Sequence, residues 1–318
     1  HDRRGLALDE VLQVVQDPPA LAQRFADSQL RDAFVFVEQA LEHDPGFGRA
    51  YSGLALSANA LGRTEDADEY WKKALENLGS MTERERLRTL GLYYSLVTRN
   101  FAKAIETYET LVQKFPADDT AHNGLAVQYF YALDFDKARE QGSVMLDIYP
   151  NSVMGRSNYA LYAMYSTDFE TAVTEAAKVR EMDAAYFKAW LPVAIKALSD
   201  NDIEAARQAY KNMQPAGIRG QLTGPIGLAD ATMYAGEFDK ARALFTEGIA
   251  LAQDAGSSYF EATTRIGLSE ALLRGGADDA AVAASLLEAL DTSGGLSSQV
   301  TAALMYVEVG DVQFGRLI

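Results

Sequence analysis

The chain has 318 residues, with 29 Lys and Arg against 45 Asp and Glu, a net charge of −16, and no Cys. Without Cys there is no disulfide framework, thiolate metal site or cysteine nucleophile. An acidic surface repels phosphate and argues against a nucleic-acid partner. No run approaches the roughly 18 apolar residues that a membrane span requires, so no membrane insertion is expected within this chain.

Acidic residues outnumber basic ones in both halves, and nothing reads as a linker or a low-complexity tract. One evenly built domain is the expectation. The sequence opens with His1, and Gly5 to Val15 is too polar for a signal peptide; it reads as a piece of something longer.

In chain order, residues 1–27 match nothing that follows. Asp17 before Pro18 and Pro19 is an N-cap followed by Pro at the first helical position, so this stretch is expected to be a helical N-terminal cap. From residue 28 onward one pattern returns: a short polar turn, usually an aromatic or Ile, acidic residues, then Ala. Asn100-Phe-Ala-Lys-Ala104, Asp134-Phe-Asp-Lys-Ala138 and Glu237-Phe-Asp-Lys-Ala241 show it most clearly. The closing Ala recurs at Ala67, Ala104, Ala138, Ala172, Ala206 and Ala241, in steps of 37, 34, 34, 34 and 35. Ala33 extends the series backward, and Ala281 extends it forward after a longer step.

The departures are placed too. The 37-residue step falls where Gly79-Ser-Met-Thr82 lengthens a loop, and the long step after Ala241 implies longer helices near Gly248–Asp254 and Ser257–Ser269. Gly217, Gly220, Gly224 and Gly227 read as a loop and a loose helix start.

Around each anchor, apolar residues spaced by three and four place a stripe on one helical face. Tyr51, Leu54, Ala55 and Ala58 lead to Ala67 and Trp71; Trp190, Val193, Ala194 and Ala197 lead to Ala206 and Tyr210. Pro45, Pro116 and Pro150 close units. This resembles the tetratricopeptide repeat, a 34-residue helix–turn–helix unit, over about residues 28–318. The resemblance implies an all-α fold, a right-handed α-solenoid of about seven or eight stacked units with a concave groove.

Catalysis has little to stand on. His43 precedes a helix-ending Asp44-Pro45, His122 occupies an aromatic slot, and Asp118-Asp119 and Asp278-Asp279 sit where carboxylates cap helix starts. There is no His-Glu-x-x-His, no phosphate-binding Gly-Lys-Ser/Thr loop and no Gly-x-Ser-x-Gly elbow. No enzyme activity, catalytic residue, cofactor or metal site is expected.

In arrays of this type the first helix of each unit lines the groove. By register that places Tyr93, Asn123, Val127, Phe130, Tyr131, Ser157, Leu161, Met164, Tyr165, Lys188 and Ile195 on it, with Asp230, Met233 and Tyr234 further on. The lining is mostly aliphatic and aromatic. It suits an extended peptide or amphipathic helix of a protein partner; self-packing or a homodimer is the competing use of that surface. The runs Ala40-Leu-Glu-His-Asp-Pro45, Glu83-Arg-Glu-Arg-Leu87 and Gly227-Leu-Ala-Asp-Ala-Thr-Met-Tyr-Ala-Gly236 are similar to repeat tails of bacterial Ser/Thr protein kinases and regulators. That likeness implies sensing or scaffolding, with small-molecule sensing as the alternative and any catalysis outside this chain.

Overall fold

A computed structural model describes residues 34–39, 41–60, 63–292 and 305. The expected cap over 1–27, the Ala33 anchor and the C-terminal stretch lie outside these residues. Among the described residues there is no strand, and helix follows helix in antiparallel pairs. The contacts divide the chain into two units, His1–Asp168 and Phe169–Ile318.

In unit 1, α1 (Gly48–Ala60) pairs with α2 (Thr64–Glu76), α3 (Glu83–Leu92) with α4 (Phe101–Lys114), and α5 (Asp119–Tyr131) with α6 (Phe135–Ile148); α7 (Val153–Tyr165) packs on α6. In unit 2, α8 (Phe169–Met182) is followed by α9 (Leu191–Ser199), α10 (Ile203–Met213), α11 (Gly217–Tyr234), α12 (Phe238–Asp254), α13 (Ser258–Arg274) and α14 (Asp279–Thr292), each packed on the next. This is an α-solenoid of helix pairs. The loop after α2 forms a 3-10 turn, Leu78–Ser80, before Thr82 and Glu85 close a capping box on α3; the two reciprocal bonds satisfy N–H groups that a helix start leaves open.

The periodic Ala residues have a common cause. Ala104 and Ala138 in unit 1 and Ala206 and Ala241 in unit 2 are all fully buried, where a larger side chain would force the two helices of a pair apart; Ala172 is fully buried as well. In the last pair Val282, not Ala281, fills that slot. Ala281 is exposed and donates its N–H to Asp278 Oδ1, because the turn Gly275-Gly276-Ala277 holds one residue more than the turn at Gly236.

Three pairs are also locked to the next by a ring set against glycine. A Cβ on Gly124 would come within 2.6 Å of the Tyr108 ring, one on Gly227 within 2.1 Å of Tyr210, and one on Gly267 within 2.4 Å of Phe245. In every case the ring comes from a second helix and the glycine from the first helix of the following pair. The same close approach corrects the reading of the Gly217–Gly227 tract as a loop. It is helical throughout as α11, with Pro225 inside, and Gly220 and Gly224 lie against the backbone of Met213 and Tyr210.

The turns share a backbone solution. One residue in each, two before the start of the next helix and three before it at Gly276, adopts positive φ: Arg99 (50°), Leu133 (61°), Thr167 (64°), Asn201 (60°), Gly236 (78°) and Gly276 (76°). Asn and Gly tolerate this region; a β-branched Thr does not, because Cβ crowds the following carbonyl. Thr167→Gly is therefore expected to stabilise unit 1 by about 1 kcal/mol, the relief of left-handed strain less the entropy that Gly adds to the unfolded chain. A thermal melt no higher than wild type would show that the turn holds no such strain.

Candidate functional site

The first helices of unit 1 are α1, α3, α5 and α7. Residues four and seven apart on each share a face, and the structure sorts the expected lining into buried and accessible positions. Ser52, Thr89, Asn123 and Ser157, at equivalent places on the four helices, are all buried; Met164 is buried as well. The short polar side chains sit where neighbouring first helices approach, as the Asn158 Nδ2 to Asn123 Oδ1 distance of 3.4 Å shows. They hold helices together and offer little surface. Val127, Phe130 and Leu161 are half-buried, and Tyr131 and Tyr165 are exposed at 60 % and 50 %. Tyr93 is half-buried, with its ring 5.7 Å from Trp71, and opens a π-helical segment, Tyr93–Val97, that extends α3. Lys188 and Ile195 are half-buried in unit 2.

The rings of unit 1 form a connected cluster. Phe101 stacks on Tyr131 at 6.0 Å, Phe130 meets Tyr131 at 6.0 Å and Tyr165 edge-on at 5.0 Å, and Phe135 lies 5.2 Å from Tyr165. Beneath them Tyr162 is buried 5.5 Å from Phe130, and burial pushes its phenol well above the ordinary value. Leu133 stands 73 % exposed at the turn and, with Asp134, Phe135, Tyr165 and Thr167, lines a shallow notch. Leu96 and Val97 are exposed at the end of the preceding first helix.

Phe101, Phe135 and Leu133 were not among the expected site residues. The two Phe residues carried a usable signal, since each follows a turn Asn or Asp and precedes its anchor Ala by three. Leu133 carried none.

On the first helices of unit 2 the pattern changes. Leu191, Ile195 and Leu198 lie on one stripe of α9; Ile226, Asp230 and Met233 hold the same places on α11, and Ile266, Glu270 and Leu273 on α13. The apolar members are half-buried and Asp230 is exposed. Partial desolvation, followed by the nearby Glu270 charge, raises its carboxyl to about 7. Glu270 has Arg274 at 3.8 Å.

Elsewhere the polar groups are structural. Asp118 is fully buried at the start of α5, accepting from Ala121 N, Arg84 Nε (2.6 Å) and Arg88 Nε and Nη2 (3.0 and 2.7 Å). His122 is buried with its ring nitrogens 2.8 Å from Gln141 Oε1 and 2.9 Å from the Pro116 carbonyl. Among the described residues no group of three or more His, Asp or Glu is arranged to hold a metal ion, and no helix is long and apolar enough to cross a membrane.

A tetratricopeptide-repeat family model matches residues 96–153 and 226–296, so each unit carries tetratricopeptide repeats. Among solved structures the chain is similar to the Cut9–Hcn1 hetero-tetramer of the APC/C, with a TM-score of 0.63 and 13 % identity over 94 % of this chain and 55 % of that one. It is similar to yeast Tom70, with a TM-score of 0.59 and 16 % identity over 98 % of this chain and 66 % of that one. A tetratricopeptide-repeat protein from Parabacteroides merdae gives a TM-score of 0.59 and 15 % identity over 81 % of this chain and 93 % of that one. The chain thus spans little more than half of the first of these and about two thirds of the second. At such identities the likeness establishes the fold alone. No curated protein matches the chain in sequence.

Proposed function

We propose that this chain is a non-catalytic protein-interaction scaffold that binds a peptide or helix of a partner through the first-helix face of unit 1. The observation that carries the reading is the connected ring cluster from Phe101 to Phe135, in which Tyr131 and Tyr165 turn half or more of their surface to solvent beside Leu133. Large rings bury much area at little entropic cost and dominate interface energetics. Exposed apolar surface of this extent marks an interaction site on a soluble protein. The similar Cut9 structure is itself an assembly with a second protein, Hcn1. A scaffold of this kind can stand alone or serve as the sensory tail of a signalling enzyme, the arrangement that the Ala40–Pro45 and Gly227–Gly236 runs resemble.

The test is retention of partner proteins from lysate of the source cell, followed by titration of the retained protein. Tyr131→Ala/Tyr165→Ala is expected to weaken that binding by about 100-fold, the loss of two aromatic anchors, with the helical circular dichroism unchanged. Equal binding by wild type and variant would remove the ring cluster as the site.

A further inference from the structure

The turns of unit 1 that lead into α4 and α6 are built alike and charged oppositely. Arg99 and Leu133 hold the positive-φ place in them, and the side chains of Asn100 and Asp134 accept the N–H of Lys103 and Lys137. Asp134 also pairs with the Lys137 ammonium at 3.0 Å, which leaves Asp136 over. The neutral Asn100 gives Lys103 no such partner, and Ala102 stands where α6 has Asp136. The first turn thus carries two positive charges, Arg99 and Lys103, and the second a net negative one. Among the described residues neither Arg99 nor Asp136 has an opposite charge at ion-pair distance, and the Lys103 ammonium rests 5.5 Å above the Tyr94 ring. Charges at other turns are engaged, Arg63 with Asp66 at 2.6 Å and Asp168 with Arg139 at 2.8 Å.

The exposed rings join these two ends. Phe101, two residues after Arg99, stacks on Tyr131; Phe135, next to Asp136, lies against Tyr165. Asp136 lines the same notch as Leu133 and Tyr165. Tyr131, Leu133 and Tyr165 each keep half or more of their surface in solvent. An edge that runs from free cations over apolar surface to a free carboxylate is complementary to a chain with the reverse order of charge. The helices α3 and α5 that end at these turns touch; helices in contact lie about 8–10 Å apart, the reach of about three residues of extended chain.

We propose that the turn edge of unit 1 binds an extended polypeptide segment of another protein in which a large apolar residue lies between an acidic and a basic one. The acidic residue meets Arg99 and Lys103, the apolar one covers Tyr131, Leu133 and Tyr165, and the basic one meets Asp136. The proposal rests on the scaffold reading and deepens it by assigning the chemistry of the partner. Exposed ion pairs add little affinity by themselves; here they fix the register and direction of a segment that the rings hold. A second copy of the chain would bring the same net charge of −16, which opposes its approach.

The experiment selects peptides from a phage-displayed dodecapeptide library on the full chain and, in parallel, on Tyr131→Ala/Tyr165→Ala. Wild type is expected to enrich peptides in which an acidic and a basic residue flank a large apolar one, and the tyrosine variant to lose them. One enriched peptide is then titrated by fluorescence anisotropy and is expected to bind Asp136→Lys about tenfold more weakly than wild type. The same peptide with its basic residue changed to Glu is expected to prefer Asp136→Lys over wild type, a reversal that damage to the fold does not produce. Enriched peptides that lack either charge, or the same order of preference for both peptides, overturn the proposal; if those peptides are still lost with the tyrosine variant, the scaffold reading stands. No enrichment on either protein, or the same peptides on both, overturns both. A dimer of the chain that the tyrosine variant disperses gives the edge to a second copy and overturns the proposal.

Discussion

Asp118→Ala is expected to destabilise unit 1 by about 3–5 kcal/mol, the cost of removing one partner from a buried ion pair, and to lower its melting temperature by on the order of 10 °C. The carboxylate has no exposed surface, and it joins two helices: it caps α5 through Ala121 N and takes Arg84 and Arg88 from α3. Deleting it leaves the nearly buried Arg88 guanidinium without its main partner. Asp118→Asn keeps the cap, worth about 1 kcal/mol, and is expected to recover only that share. Burial works to raise the Asp118 carboxyl, but the Arg88 hydrogen bond and charge, with Arg84 and the Ala121 N–H, hold it below its ordinary value. A lowered carboxyl stabilises the fold above its unfolded value, about 4, and the contribution is lost as pH falls through the folded value. The gap between wild type and variant therefore closes in acid. Melts followed by circular dichroism that coincide at pH 7 would show that the network contributes nothing to stability.

The second large effect is steric. Gly124→Ala places a Cβ 2.6 Å from the Tyr108 ring, which is itself fully buried against Gly91 on its other side. The ring cannot yield, so the overpacking is expected to cost about 1–3 kcal/mol. Tyr108→Ala alone leaves a cavity and is expected to cost about 3–5 kcal/mol. With the ring gone, Ala at 124 meets no obstacle and gains up to about 1 kcal/mol in helix propensity over Gly. The double variant should thus be no less stable than Tyr108→Ala, a coupling that denaturant titration of all four proteins measures directly. Additive losses would place the clash elsewhere.

Much of this was legible because it is periodic. The Ala at the crossing of a pair, the capping Asp at the turn and the ring four residues after the anchor recur in most units, so the sequence shows them several times over. What escaped depends on a single copy. The extra residue at Ala277 moved the last anchor to Val282, and the π-helical turn at Tyr93–Val97 has no mark in residue type. Burial of Asn123 and Ser157 follows from how closely two first helices approach, a distance that helix register alone does not give. Leu133 was invisible for another reason. An apolar residue at positive φ in a turn breaks both the composition and the backbone preference of that position, and such conflicts between local rule and observed residue gather at working surfaces.

In three ring-on-glycine contacts the ring reaches forward to the next pair, Tyr108 to Gly124, Tyr210 to Gly227, and Phe245 to Gly267, whereas at Gly142 the Tyr159 and Tyr162 rings reach back. At the three forward junctions the two kinds of cut end are therefore chemically unlike. Severing the array there ahead of a first helix strips the cover from an aromatic knob and leaves a sticky end that invites aggregation. Severing it just after a second helix's ring has been removed exposes only an empty glycine slot, which water fills without penalty to a neighbour. Shortened versions of either unit that begin on such a slot and end on a completed first helix are the ones that should stay soluble.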